Sequence, residues 1–396
     1  MKILYFTNQD IESGLFDTQV YGNLLGLKKL NKNIKITLLV FNRPWKFFKH
    51  KSKVEEIKSK NINVIYLPLC PPMRYFTTSI FLNKLYVFYF SVIFKLLVKY
   101  KNYDLIHCRH YLPSLVCKSL GIKNILFDVR SLSLFENVQA GKIKFKSKNY
   151  QYWLKQEEEL INYVDGISVV SKSMIKYFKQ YHPKRISYCP IIVDSDKVYF
   201  SNKERIKLRD DWNWSKKNVY VYSGTFGLYG LNKKYLFKLI SSIINSDDNA
   251  KFLFLLSNDE NEFNSFIKKF DLNKNNFMYY SVSPNKLYKF LSASDVGIHS
   301  LPNQLDSFTR LGTKVVEYWA AGLPTLLNNH IGEAAFISKQ NNFGKVIDLT
   351  SVESNKVFNF KDYDKKHIVT KSLEIFERKV VLNNYLKLYN KIILKS

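Results

Sequence analysis

The sequence predicts an α/β protein built from two doubly wound domains, on three observations. The chain has 396 residues, too many for one comfortable core, so two domains of under about 200 residues each are expected. Short apolar runs alternate with amphipathic helical patterns in both halves. Each half also opens in the same way, with an apolar run, a Gly-containing turn and a helix. In the first half this is Lys2–Phe6 followed by Ser13-Gly14; in the second it is Val219–Tyr222 followed by Ser223-Gly224-Thr225. A glycine in such a turn lets backbone N–H groups approach a phosphate or a sugar.

The elements follow in order. After the Lys2–Phe6 strand, an amphipathic helix is expected from about Phe16 to Leu30. Ile34–Phe41 and Val64–Leu67 read as strands. Between them, Arg43 to Lys53 is a basic run interleaved with Trp45, Phe47 and Phe48. It suits an anionic membrane surface, and equally a solvated loop with its aromatics folded inward. A helix is expected from about Ile80 to Lys99. Its uncharged centre, Leu85–Phe94, is half the length of a membrane span, so it reads as buried or interfacial. Asp104–Cys108 is the fourth strand, followed by Arg109-His110-Tyr111. Asn124–Phe127 is the fifth, followed by Asp128-Val129-Arg130 and a stretch from Ser131 to Lys148 that contains Glu136. Asp128 and Arg130 read either as a salt bridge at the strand end or as groups facing a substrate. Tyr152–Val164 is a helix, Asp165–Ser173 a turn, strand and helix cap, and Arg185–Val193 the last strand of the half. In the second half Lys251–Leu256, Phe277–Tyr280 and Val296–His299 are strands alternating with helices, and Leu373–Leu394 is a long helical pattern.

The net charge is +28, of which residues 1–180 carry +17 and residues 181–396 carry +11. Such a surface favours nucleic acid, phospholipid headgroups or phosphorylated substrates. No nucleic-acid module is recognisable, so nucleic acid is not an expected partner. The four cysteines contain no CxxC pair and suit a reducing compartment. Met1–Phe6 has too few apolar residues for a secretory signal, and a cytoplasmic protein is expected. Asp194-Ser195-Asp196 resembles a metal-binding DxD string, but it sits at a linker, and that reading is rejected.

The richest stretch is Ser307 to Pro324. Gly312 and Thr313 open a helix whose apolar face is Val315, Val316, Trp319 and Ala320; Gly322 stops it. A helix start offers free N–H groups and a partial positive charge to an anion. Arg310 and Lys314 add two cations there, and Glu317, one turn inside, suits sugar hydroxyls. A diphosphate with an attached ribose would meet these groups in order.

This stretch resembles the donor-binding segment of GT-B glycosyltransferases, in particular glycosyltransferase family 4, with Thr309 where that family carries the first of two Glu residues and Glu317 as the second. Weaker similarity runs through Asp128-x-Arg130, Pro190 to Asp194 and Ala293-Ser294-Asp295. The resemblance implies two Rossmann-like domains facing across a cleft, residues 1–195 and 196–372, with a helix at 373–396 crossing back to the first. It implies retaining, metal-independent transfer of a sugar, without a cofactor, from a nucleotide-sugar to a glycan or lipid-linked glycan in bacterial surface polysaccharide assembly; such an acceptor would account for a basic, aromatic first domain and for peripheral contact with the inner face of the plasma membrane. Arg310 and Lys314 would stabilise the leaving diphosphate, and Gly14, Gly224, Thr225, Lys233, Thr309, Gly312, Thr313 and Glu317 would bind the donor. Arg109 or His110 would lie beside the transferred sugar, and Asp128, Arg130 and Glu136 would face the acceptor. Two other readings keep the fold: a nucleotide-sugar epimerase, and a non-catalytic, basic polyanion-binding protein.

Overall fold

The computed structural model of the chain describes residues 1–70, 79–224, 233–256, 260–348 and 359–394. The strands are β1 (Lys2–Thr7), β2 (Lys35–Phe41), β3 (Asn63–Leu67), β4 (Leu105–Arg109), β5 (Ile125–Val129), β6 (Gly166–Val169), β7 (Ile186–Tyr188), β8 (Asn218–Gly224), β9 (Ala250–Leu256), β10 (Phe277–Tyr280), β11 (Val296–His299), β12 (Thr325–Asn328) and β13 (Gly344–Ile347). The helices that precede β8 are α1 (Gly14–Phe16), α2 (Gly22–Leu30), α3 (Phe47–Ser59), α4 (Ile80–Leu97), α5 (Tyr111–Ser119), α6 (Ser133–Gln139), α7 (Lys148–Tyr163), α8 (Lys172–Lys179) and α9 (Asn202–Asp211). Those that follow are α10 (Lys233–Ile244), α11 (Glu260–Lys269), α12 (Leu287–Ser292), α13 (Thr313–Ala320), α14 (Gly332–Asn341), α15 (Lys365–Phe376) and α16 (Arg378–Ile393).

The chain forms two compact units, Met1–Pro190 with Arg378–Ser396, and Ile191–Glu377. The first holds a parallel sheet in the order β3-β2-β1-β4-β5-β6-β7, the second a parallel sheet in the order β10-β9-β8-β11-β12-β13. Parallel neighbours need a crossover connection, and helices supply it while covering both faces. Strand residues alternate accordingly. In β8, Val219 and Val221 join one core layer with Val315, Trp319 and Phe376, while Tyr220 and Tyr222 join the opposite layer with Leu236 and Phe266. In β1, Leu4 and Phe6 enter the layer beneath α4, α5 and α7. Tyr5 points the other way, its ring 4.2 Å from that of His107.

Several elements differ from the sequence reading. The first helix starts at Gly14, where Ser13 Oγ accepts the Phe16 N–H at 3.1 Å, and a π-helical stretch, Asp17–Tyr21, separates α1 from α2. The stretch after Arg130, for which no element was read, contains α6. The pattern at Leu373–Leu394 breaks at Glu377, which is non-helical with ψ 136°. There the Val193 N–H donates to the Phe376 carbonyl at 2.9 Å and Val193 bridges Glu377. The units therefore divide at Pro190/Ile191 and Glu377/Arg378, about five residues from the breaks read in the sequence. The helix beyond Glu377, α16, belongs to the first unit. Its Arg378 guanidinium donates to Asn23 Oδ1 (2.7 Å) and to the Thr18 carbonyl (3.4 Å).

Gly297 in β11 decides how α13 packs. A Cβ there would lie 2.3 Å from Tyr318 Cδ2, so the Tyr318 ring can rest on the strand only because position 297 has no side chain. Gly297→Ala is expected to lower stability by about 1–3 kcal/mol, as overpacking a filled core does, read as a fall in the urea midpoint.

Candidate functional site

In a doubly wound sheet, ligands bind outside the carboxyl ends of the strands where the strand order reverses. The second unit reverses between β8 and β11, which end at Gly224 and His299. The chain leaving His299 runs to Gly312, and α13 starts over this same edge. The Ser223 N–H donates to Tyr318 Oη at 2.6 Å, tying α13 to the end of β8. Gly312 stands at the helix N-cap with φ +77°, a conformation that favours glycine. No side chain caps the first turn among the described residues, so its N–H groups are available to an anion. Lys314 Nζ lies 2.9 Å from Glu317 Oε2, one turn apart on the half-buried face.

Arg310 is held by side chains of the turn that precedes it. Its Nε lies 3.2 Å from both Asp306 oxygens, its Nη2 3.1 Å from Oδ1, and it also donates to Gln304 Oε1. This fork arrangement pairs the guanidinium and closes the 304–310 turn. The Arg310 carbonyl accepts the Ala334 N–H at 3.1 Å, which fastens the turn to α14. Arg310 and Lys314 are both cations at the helix start, the first paired with Asp306 and the second with Glu317. Thr309 is buried, and its hydroxyl donates to the Asp306 carbonyl at 2.8 Å, inside the same turn. Thr313 opens α13 and is half-buried. Lys233, at the start of α10, pairs with Glu262. Thr225 lies outside the described residues.

His299 was not among the candidates read from the sequence. Its ring stacks on Tyr222 (5.9 Å, 11°), and its Nε2 would lie 3.7 Å from a Cβ on Gly312. Nδ1 is buried with no hydrogen-bond partner among the described residues. Burial, helped by Arg310, pushes its pKa down to about 4, so it is neutral at pH 7. The signal for it was a polar residue ending an otherwise apolar strand at the reversal point, legible only once the strand order is known.

The first unit reverses between β1 and β4. Arg109, the last residue of β4, is buried; its Nε donates to Gln9 Oε1 at 2.9 Å and its Nη1 lies 3.4 Å from Asp128 Oδ2. His110 follows with φ +72°, a conformation rare for non-glycine residues and enriched at functional sites. Burial and the Arg109 charge lower its pKa to about 3, so it stays neutral. Gly14 opens α1 in this unit, and a Cβ there would meet nothing within 4 Å.

Asp128 and Arg130 form a salt bridge at the strand end. Asp128 is fully buried; its Oδ1 accepts from Ser168 Oγ and Tyr385 Oη, both at 2.9 Å, and lies 3.6 Å from Arg130. Its Oδ2 lies 3.4 Å from His107 Nε2. Burial alone would raise the Asp128 pKa, but Arg130, His107 and Arg109 outweigh it and hold the carboxyl well below the usual carboxylate range. Arg130 also donates to Tyr385 Oη at 3.1 Å, and His107 Nδ1 lies 2.7 Å from Tyr389 Oη. Both tyrosines belong to α16, so this network seats the last helix. Glu136 lies on α6 and accepts from Ser131 Oγ at 2.9 Å.

The basic run 43–53 is only partly free. Lys46, Lys49 and Lys53 pair with Asp10, Glu12 and Asp17, whereas Phe48 is 85% exposed, so its ring is not folded inward. Asp10, Glu12 and His50 bring ligand atoms within 4.8 Å of one another, but Lys46 and Lys49 already neutralise the carboxylates. In the DxD string, Asp194 Oδ1 accepts the Asp196 N–H at 3.3 Å, a local turn bond.

Residues 204–355, most of the second unit, match the family model for glycosyl transferases group 1. No match to the sequence is found among curated proteins. Several solved structures share the fold over the whole chain. Sucrose-phosphate synthase (tll1590) from Thermosynechococcus elongatus is 14% identical with a TM-score of 0.72, covering 100% of both chains. HepE from Anabaena, solved with UDP, is 14% identical with a TM-score of 0.66, covering 98% of this chain and 99% of its own. WaaG, a glycosyltransferase involved in lipopolysaccharide biosynthesis, is 14% identical with a TM-score of 0.57, covering 99% of this chain and 98% of its own. The chain therefore has the GT-B fold, with two Rossmann-like domains.

Two outcomes follow from these contacts. Asp128→Ala leaves Arg109 and Arg130 buried without their carboxylate and is expected to cost about 3–5 kcal/mol in urea unfolding. His299 binds its proton less readily folded than unfolded, so its contribution to stability is lost as pH falls from about 6.5 towards 4. The fall in unfolding free energy between about pH 7 and pH 5 should be smaller in His299→Gln, by about 1–2 kcal/mol.

Proposed function

We propose that the protein is a glycosyltransferase that moves a sugar from a nucleotide-sugar donor to a glycan or lipid-linked glycan acceptor. The observation that carries this reading is the uncapped start of α13 at the strand-order reversal, with Lys314 and Glu317 2.9 Å apart beside it. A nucleoside diphosphate divides that pair: the phosphates take the helix N–H groups and Lys314, and the ribose hydroxyls take Glu317. As the glycosidic bond breaks, negative charge grows on the leaving phosphate, and donors already in place stabilise it without reorganising. The family match of residues 204–355 supports this assignment, as does the likeness to HepE, a protein solved with UDP.

The reaction proposed is retaining and needs no metal, with the leaving phosphate itself accepting the acceptor's proton. His299 and His110, both held neutral, are available as hydrogen-bonding groups rather than as cations. The acceptor proposed is a surface glycan or its lipid-linked precursor, met at the inner face of the plasma membrane. WaaG, whose stated role is lipopolysaccharide biosynthesis, is a fold relative with that kind of task.

A thermal-shift panel of UDP-, GDP-, ADP- and CMP-sugars tests the donor assignment. One donor class should raise the melting temperature, and Glu317→Ala should abolish the rise; no shift with any donor would sink it. Lys314→Ala should lower kcat by about 10²–10³-fold with an unchanged melting temperature.

A further inference from the structure

Helix α4 is apolar on both sides. Its inner side supplies Tyr86, Phe90 and Phe94 to the first unit's core, where Phe90 meets Phe41 edge-on at 4.8 Å and Phe94 stacks on Phe6 at 5.2 Å. Its outer side carries Phe81, Leu85, Phe88, Val92 and Leu96 at helical spacing, with Phe81 71%, Phe88 65% and Leu96 76% exposed. Scattered exposed apolar residues are ordinary, but a continuous stripe marks an interaction surface. The helix is long and apolar enough to cross a bilayer, yet crossing would strip Tyr86, Phe90 and Phe94 from the core, so it does not span.

Beside the stripe, α4, α5 and α7 enclose a mostly apolar groove of about 540 Å³, with Lys84, Lys95 and Lys118 among its lining residues. That volume falls within the range of small-molecule sites. Lys118 pairs with Glu159 of α7 at 2.7 Å, whereas the segment that carries α4 is cationic. From Ile57 to Tyr103 it has no acidic residue and seven Lys and Arg. An amphipathic surface with aromatics on one side and lysines at its edge matches the boundary between headgroups and acyl chains of an anionic bilayer.

We propose that this face of α4 docks on an anionic lipid membrane. The stripe lies at the acyl boundary, Lys84 and Lys95 meet lipid phosphates, and the groove is open to a lipid chain. The proposal deepens the transferase reading by placing its acceptor on a membrane, and for the acceptor it rests on that reading; the docking itself requires no donor.

Vesicle flotation tests it. The wild-type protein should float with phosphatidylglycerol/phosphatidylethanolamine vesicles at low salt, less at high salt, and little with phosphatidylcholine alone. Phe88→Glu/Leu96→Glu should lower vesicle affinity about tenfold or more, and Leu96→Ser should lower it in part, with melting temperature and donor-induced shift unchanged in both. Equal flotation of wild type and variants would overturn the proposal. So would a wild-type dimer that ignores vesicles and dissociates in the double variant, which would give the stripe to a second copy of the chain. Flotation without a thermal shift from any donor would leave the docking standing and remove the transferase reading, whereas a donor shift without flotation would do the reverse.

Discussion

The Tyr318 ring lies on the bare backbone of Gly297, and its hydroxyl accepts the Ser223 N–H at 2.6 Å. Those contacts join α13 to β11 and to β8, the two strands between which the second sheet reverses its order. The candidate site depends on this joint. It places a helix start, turned by Gly312 at φ +77°, over the carboxyl edge of the sheet, where backbone dipoles already favour an anion. Without the close approach that Gly297 permits, Arg310, Lys314 and Glu317 would share a sequence motif but no site.

A net charge of +28 suggests many free cations, yet the cations at chemically interesting positions are mostly engaged. Arg310 is held by Asp306, Arg109 and Arg130 by Asp128, and Lys46 by Asp10. These pairs tie turns and helices together, because a buried or half-buried charge is tolerated only with a partner. Lys314 differs in that its partner, Glu317, is itself suited to the ligand. In the proposed function a nucleoside diphosphate would divide this pair, each side chain exchanging one partner for another. On α4 the exposed lysines border an apolar surface that stays exposed among the described residues.

In the first unit the buried carboxylate of Asp128 is the organising group. It gathers Arg109, Arg130, His107, Ser168 and Tyr385, and with Tyr389 it seats α16 against β4 and β5. The last sixteen-residue helix is thus fixed by polar contacts to strand ends as well as by apolar packing.

The order and type of the main elements were legible in the sequence alone. Alternating apolar runs and amphipathic helices dictate parallel sheets with crossovers, and the Gly312-Thr313 start and Gly322 stop of α13 are local signals that tertiary packing left intact. Residue pairings were not legible, because they join positions far apart in the chain. Asp128 meets Tyr385 across 257 residues and His107 meets Tyr389 across 282; no spacing rule connects them. His299 became a candidate only when β11 was found beside β8, and the outer stripe of α4 only when its inner side was seen to fill the core. The break at Glu377 was hidden because the helical pattern continues through it, and a pairing with Val193 overrides local propensity. Sequence by itself determined the order of strands and helices and the start and stop of α13, since these depend on neighbours within one or two turns. Only the tertiary structure decided which charges remain available, because an ionic group's availability is set by whichever distant group the fold brings within about 4 Å of it.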